Sequence, residues 1–295
     1  MNVAVLGASG VIGRNLLPRL VEAGHRVRAG VRRRGPATDI ASVEQVEADI
    51  FEPASLAHLV TGCDALIHIA SSVPRADGSG GDWATHDRIR REGMKNAIAA
   101  CDRAKIPLIA QSIAMLHAET QSSVQDEQSP LVASGRRAAA LEAERALAEW
   151  PGDYRIVRGA ALYGLGTTVD DDWFARYLRG ELAAPGDGSD FISPIHVADL
   201  ATAFQIVLER AAPRSAWIAA DDEPMRYSEV FGIVADLCGQ RRASPGIGAA
   251  AGLPGFRVSN RALRQLGWAP RYASVRSGLV ATAERYLALL KAEPS

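Results

Sequence analysis

The stretch NVAVLGASGVIG, residues 2–13, carries an apolar strand from Asn2 to Leu6 directly into a glycine-punctuated turn and the start of a helix. Each glycine has a physical task in such a turn. Gly7 permits the sharp reversal, Gly10 lets main-chain amides approach a pyrophosphate, and Gly13 lets helix and sheet pack closely. The helix that follows has apolar positions at Val11, Ile12, Leu16, Leu17, Leu20 and Val21, and Gly24 closes it. Its amino end offers unpaired N–H groups and about half a positive charge. The segment from His25 to Val31 is extended again, so the first 31 residues read as a strand–helix–strand unit with a right-handed crossover. Gly7, Ser9, Gly10, Val11, Ile12 and Gly13 are its expected dinucleotide contacts.

The alternation continues outward. Residues 43–47, 65–70, 108–112 and 154–158 read as strands, and 53–60, 83–104 and 135–150 as helices. Such repetition predicts an α/β fold of the Rossmann type, a doubly wound parallel sheet covered by helices on both faces. Beyond residue 159 the pattern loosens. Residues 192–197 and 198–211 read as a strand and a helix returning to the first layer. The predicted dinucleotide-binding domain is therefore 1–159, completed by 190–212. Residues 160–189 and 213–295 are predicted to form a small C-terminal substrate (lid) domain over the carboxyl edge of the sheet.

Composition narrows the function. The 295 residues include 33 basic and 34 acidic groups, a formal charge of −1, so no basic field draws nucleic acid or anionic lipid. No apolar run approaches ~18 residues, which argues against a membrane span, and no secretory signal is read at the N-terminus, so a cytoplasmic location is expected. Cys63, Cys101 and Cys238 are far apart, odd in number and lack metal-ligand spacing; they read as buried free thiols, and no metal site is expected.

The end of the second strand selects the cofactor. An NAD site places Asp or Glu there to bind the ribose 2′-hydroxyl, whereas this strand ends Val31-Arg32-Arg33-Arg34. A guanidinium suits a 2′-phosphate through bidentate, charge-assisted bonds. Arg32 and Arg33 are thus candidate contacts and NADP is the expected cofactor, with NAD as the alternative.

Taken together the motifs resemble the extended short-chain dehydrogenases of the NAD-dependent epimerase/dehydratase family over nearly the whole chain. Besides the glycine turn there is Ala48-Asp49-Ile50 before a helix, where the resemblance implies that Asp49, with Ile50, meets the adenine. Ile67-His68-Ile69-Ala70 resembles the strand whose end, Ala70 and Ser71, passes the cofactor. Arg158-Gly159 to Leu162-Tyr163-Gly164 resembles the stretch beside the nicotinamide, with Gly159 and Leu165 where prolines are usual. Ile195-His196-Val197-Ala198-Asp199-Leu200 and Gly267-Trp268-Ala269-Pro270 resemble two further family elements. The resemblance also implies a small-molecule substrate and a homodimer through helices 83–104 and 135–150.

The family's chemistry uses a Ser or Thr with a Tyr-x-x-x-Lys pair, the lysine lowering the tyrosine pKa. Ser112 matches the serine, but the matching helix places Ser134 and Ala138 at the tyrosine and lysine positions. No tyrosine precedes Tyr154 and no lysine lies between Lys105 and Lys291, so no register restores the pair. His117 is expected near the substrate cleft and is an acid–base candidate; Glu119, Asp126 and Glu127 read as solubility features. Ser112, His117 and Ser134 are the catalytic candidates. Three functions remain open: an NAD(P)-dependent oxidoreductase or epimerase acting on a small carbonyl or sugar-like substrate with a non-standard proton donor; a non-redox lyase, isomerase or dehydratase; and an NmrA-like NADP-binding sensor without catalysis.

Overall fold

A computed structural model describes residues 1–74, 81–117, 123–164, 167–239, 246–248 and 255–292; Glu119 and Leu165 lie outside them. In chain order the strands are β1 (Asn2–Leu6), β2 (Arg26–Val31), β3 (Val43–Glu47), β4 (Ala65–His68), β5 (Leu108–Ile113), β6 (Tyr154–Gly159), β7 (Ala161–Tyr163), β8 (Ala183–Pro185), β9 (Phe191–Ile192), β10 (Pro194–His196), β11 (Ser215–Ala219), β12 (Met225–Arg226) and β13 (Gly246–Gly248). The helices are α1 (Val11–Glu22), α2 (Pro53–Leu59), α3 (Trp83–Arg88), α4 (Met94–Ala104), α5 (Ala138–Glu149), α6 (Thr168–Arg179), α7 (Val197–Arg210), α8 (Tyr227–Leu237), α9 (Arg261–Gln265) and α10 (Val275–Ala292).

Seven strands form one parallel sheet in the order β11-β6-β5-β4-β1-β2-β3. Its central strands are buried on both faces, which is why β1 and β4 read as unbroken apolar runs rather than alternating ones. One face is covered by α1 packed against α7, and the other by α2, α4 and α5. The Rossmann-type fold expected from the alternation is present.

Two expectations are corrected. The seventh strand is β11, which pairs with β6, so residues 215–219 belong to the nucleotide-binding sheet and not to the lid. The returning segment at 192–197 does not join that sheet: β10 pairs with β7, and β9 with β12, in separate two-stranded sheets. Pro194 explains the split, because it has no amide hydrogen to continue a ladder begun at Phe191. The region read as one helix over 83–104 is divided by a π turn at Ile89–Gly93, and the region 135–150 begins with a 3-10 turn at Gly135–Arg137.

The C-terminal segment is fixed to the sheet by polar anchors. The Trp268 indole, 2% exposed, donates to the Asp199 carbonyl at 3.1 Å, and the Asp199 carboxylate accepts from the amides of Arg271 and Tyr272 at 2.6 and 3.0 Å. Among the described residues no helix is long and apolar enough to cross a membrane, and the thiols of Cys63, Cys101 and Cys238 are buried and not in disulfides. Truncating the anchor, Trp268→Ala, is expected to cost about 3–5 kcal/mol, measured by urea unfolding; an unchanged midpoint would show that the segment is not held there.

Candidate functional site

The glycine turn lies at the carboxyl edge of β1, and at two of its glycines the backbone leaves no room for a Cβ. Gly7 has φ +92°, and a Cβ there would stand 2.5 Å from the Ala70 amide nitrogen, so the turn lies directly on the end of β4. At Gly13 a Cβ would meet the Ala8 carbonyl oxygen at 2.1 Å. The Gly10 amide donates to the Gly7 carbonyl at 3.0 Å, while α1 begins with no side-chain cap and no acid in its first turn. Its first amides therefore stay open for an anion. Ser9 and Gly10 are exposed, Val11 is half-buried and Ile12 is buried.

Around this turn stand the other expected cofactor residues. Arg32, Arg33 and Arg34 follow β2, exposed and without a hydrogen bond or ion pair among the described residues. Asp49 is half-buried and accepts from the Phe51 amide at 2.9 Å. The Ile50 side chain is turned into the core against Gly93. Ala70 and Ser71 leave β4 beside Gly7, and Gly159 and Leu162 end β6 and follow it.

The catalytic candidates divide between the interior and the surface. On the α4/α5 side of the sheet, neighbouring strands present a buried polar layer: His68 on β4, Ser112 on β5 and Arg158 on β6, with Ser112 and Arg158 in register. Arg158 forms a fully buried ion pair with Glu144 of α5, Nη2 to Oε2 2.7 Å, and its Nη1 lies 3.2 Å from Nε2 of His117. His117 is thus corrected from the cleft to the interior, 3% exposed. Burial and the adjoining Arg158 guanidinium hold its pKa down at about 4, so it is a neutral imidazole at physiological pH. Ser112 is equally buried, and its Oγ has no hydrogen-bond partner. It lines a cavity of about 20 Å³ with His68, His86, Arg90 and Glu144, space for one water molecule.

Ser134 lies elsewhere, exposed at the turn before α5. Arg137 Nη2 donates to Ser134 Oγ at 3.4 Å, and Nη1 donates to the Met115 carbonyl at 3.1 Å. A guanidinium therefore stands next to the one catalytic candidate that solvent reaches. The reading of the sequence missed this partnership, for which the three-residue spacing within one helical turn was the available signal. It also missed Arg90, whose Nε donates to His86 Nε2 at 2.9 Å. The histidine of the Ile195–Leu200 element is structural: His196 caps α7 through its Nδ1 and packs between the rings of Tyr163 and Tyr272.

A family model described as NAD(P)H-binding matches residues 7–203. The chain belongs to that family. It is 30% identical to a 3-diazoavenalumate denitrifying reductase of Streptomyces over 95% of this chain and 99% of that protein. It is 26% identical to a 2-alkyl-3-oxoalkanoate reductase of Stenotrophomonas maltophilia over 84% of this chain and 78% of that one. Solved structures share its fold, among them the following two. One is a dTDP-glucose 4,6-dehydratase from Bacillus anthracis in complex with NAD, with TM-score 0.84, 16% identity, and coverage of 99% and 98% of the two chains. The other is a UDP-glucose 4-epimerase from Thermotoga maritima, with TM-score 0.83, 18% identity, and coverage of 98% and 100%. The expected resemblance to the epimerase/dehydratase fold thus holds.

The buried imidazoles set an acid limit. His68, His86, His117 and His196 are each lowered from 6.5 to about 4, with desolvation the largest cause. Above pH 6.5 they add no pH dependence; between 6.5 and 4 the unfolded chain takes up protons that the folded chain refuses, so stability falls with pH. The melting temperature is expected to drop across that window, and less steeply in His117→Gln, which cannot protonate. An equally steep drop in the variant would contradict the assignment of His117.

Proposed function

We propose that the protein is an NADPH-dependent reductase of a small organic carbonyl-type substrate. The observation that carries the reading is the phosphate turn seated on Ala70 with open α1 amides beside it; the full-length relative and the next are both reductases by name, which supports reduction over sensing. The unpaired Arg32 and Arg33 suit a 2′-phosphate, which NADP has and NAD lacks. The bound nicotinamide supplies the hydride.

The chain's own part is to bind, orient and manage the proton. As hydride reaches the carbonyl carbon, Ser134 gives its hydroxyl proton to the substrate oxygen, so that the product leaves as the alcohol, and the serine oxygen regains a proton from solvent, to which it is open. The serine hydroxyl is too weak an acid to act alone; the Arg137 guanidinium, fixed by the Met115 carbonyl, stabilises the negative charge left on its oxygen. Arg158, Glu144 and His117 tie β6 to α5 and to the chain leaving β5, and neither they nor the buried Ser112 exchanges a proton with the substrate.

Three measurements test this. Arg32→Asp combined with Arg33→Asp is expected to weaken NADPH binding by roughly tenfold or more while NADH binding changes little; equal effects on both would contradict the NADP assignment. Arg137→Met is expected to lower turnover by about 10²-fold or more with NADPH affinity unchanged. Tight NADPH binding without oxidation on a panel of ketones and oxo acids would contradict reduction, and substrate consumption at constant cofactor oxidation state would select a non-redox reaction instead.

A further inference from the structure

Building on the reductase reading, we infer that the carboxyl edge of the sheet carries, beside Ser134, a subsite for an apolar carboxylate, and that Arg136 on the face of Trp83 is its anion anchor.

The large hydrophobic side chains that stay exposed are not scattered. Among the described residues they are Met1, Val73, Trp83, Val124, Val132 and Val280. Met1 and Val280 are isolated, and single exposed apolar residues need no explanation. The other four sit on the two connections that leave the carboxyl ends of β4 and β5, the edge at which Gly7, Ala70 and Ser134 lie. Val73, Trp83 and Val132 keep 36%, 38% and 43% of their surface exposed. An exposed apolar group at the rim of a cleft marks a place where a ligand is expected to cover it.

Backbone and side-chain contacts join these residues into one rim. A Cβ on Gly81 would stand 2.2 Å from the Ser72 carbonyl oxygen, so the chain entering α3 presses against residues 72–73. The Arg136 guanidinium lies 4.6 Å from the Trp83 ring centre, linking the start of α3 to the turn that holds Ser134. The Val132 amide donates to the Leu116 carbonyl at 2.8 Å, fixing the approach to that turn on the end of β5.

Arg136 supplies the charge. Its neighbour Arg137 is engaged by Met115 and Ser134, whereas Arg136 makes no hydrogen bond or ion pair among the described residues and is exposed. A guanidinium lying on an indole keeps its N–H edges free, and those edges match a carboxylate in a bidentate pair. Indole, valines and an unpaired guanidinium, two residues from Ser134, together fit a substrate with an apolar body and an acid group. A neutral sugar would leave the guanidinium's charge unmatched.

Calorimetry on the NADPH-saturated protein tests the inference, with trans-cinnamate, octanoate and methyl cinnamate as probes, each repeated without NADPH. The acids are expected to bind about tenfold or more tightly than the ester. Arg136→Gln is expected to reduce the acids to the ester's level while leaving ester and NADPH affinities unchanged. Trp83→Ala is expected to weaken acids and ester alike, with the far-ultraviolet circular dichroism of both variants matching the parent. Equal binding of acid and ester, an unchanged acid affinity in Arg136→Gln, or NADPH binding with none of the probes bound at millimolar concentration would overturn it. Probe binding with no NADPH binding would instead overturn the reductase reading and leave the subsite standing.

Discussion

The contact on which the rest depends is the approach of the Gly7 backbone to the end of β4. With φ +92° and no room for a Cβ beside the Ala70 nitrogen, residue 7 must be glycine. That approach puts the first amides of α1 and the exit of β4 in one place, and on the proposed function these are the two sides of the cofactor's diphosphate. Gly13 makes a second demand of the same kind, because α1 can settle on the sheet only if nothing projects toward the Ala8 carbonyl. Arg32 and Arg33, Ser71 and the rim at Trp83 take their positions from that frame.

A second constraint comes from the polar layer under α5. Arg158 and Glu144 are both nearly inaccessible, and a buried ion pair of this kind holds its elements in a particular register more than it adds stability; losing either partner strands a charge in the interior. Here the pair locks β6 to α5, with His117 adding the chain that leaves β5. The turn carrying Ser134 and Arg137 opens α5, so the layer also fixes where that turn begins. Arg137, not a residue of that layer, is the cation beside the solvent-reached hydroxyl.

Much of this was legible in the sequence, and the parts that were not share a cause. The phosphate turn could be read because its requirement is backbone space, which appears as glycine at fixed spacing. The central strands could be read because burial on both faces leaves apolar runs. By contrast, β11 is an edge strand whose first three residues are only half-buried, so its pattern resembles that of a lid segment. The π turn at 89–93 has no residue signature, since Ile89-Arg90-Arg91-Glu92-Gly93 keeps an ordinary helical composition. The burial of His117 depends on Arg158, 41 residues further on, and no local reading supplies that partner. Ser134 came from aligning a motif, whereas its contact with Arg137 was readable only from the three-residue spacing between them.

Hydrogen–deuterium exchange of the protein with and without NADPH reads both sides of the Gly7 contact. Protection is expected at the amides of residues 8–13 and 69–71, the two sides of the Gly7 contact, with α9 and α10 unchanged. NADPH that binds and protects neither segment, or protects only the C-terminal region, would contradict the account.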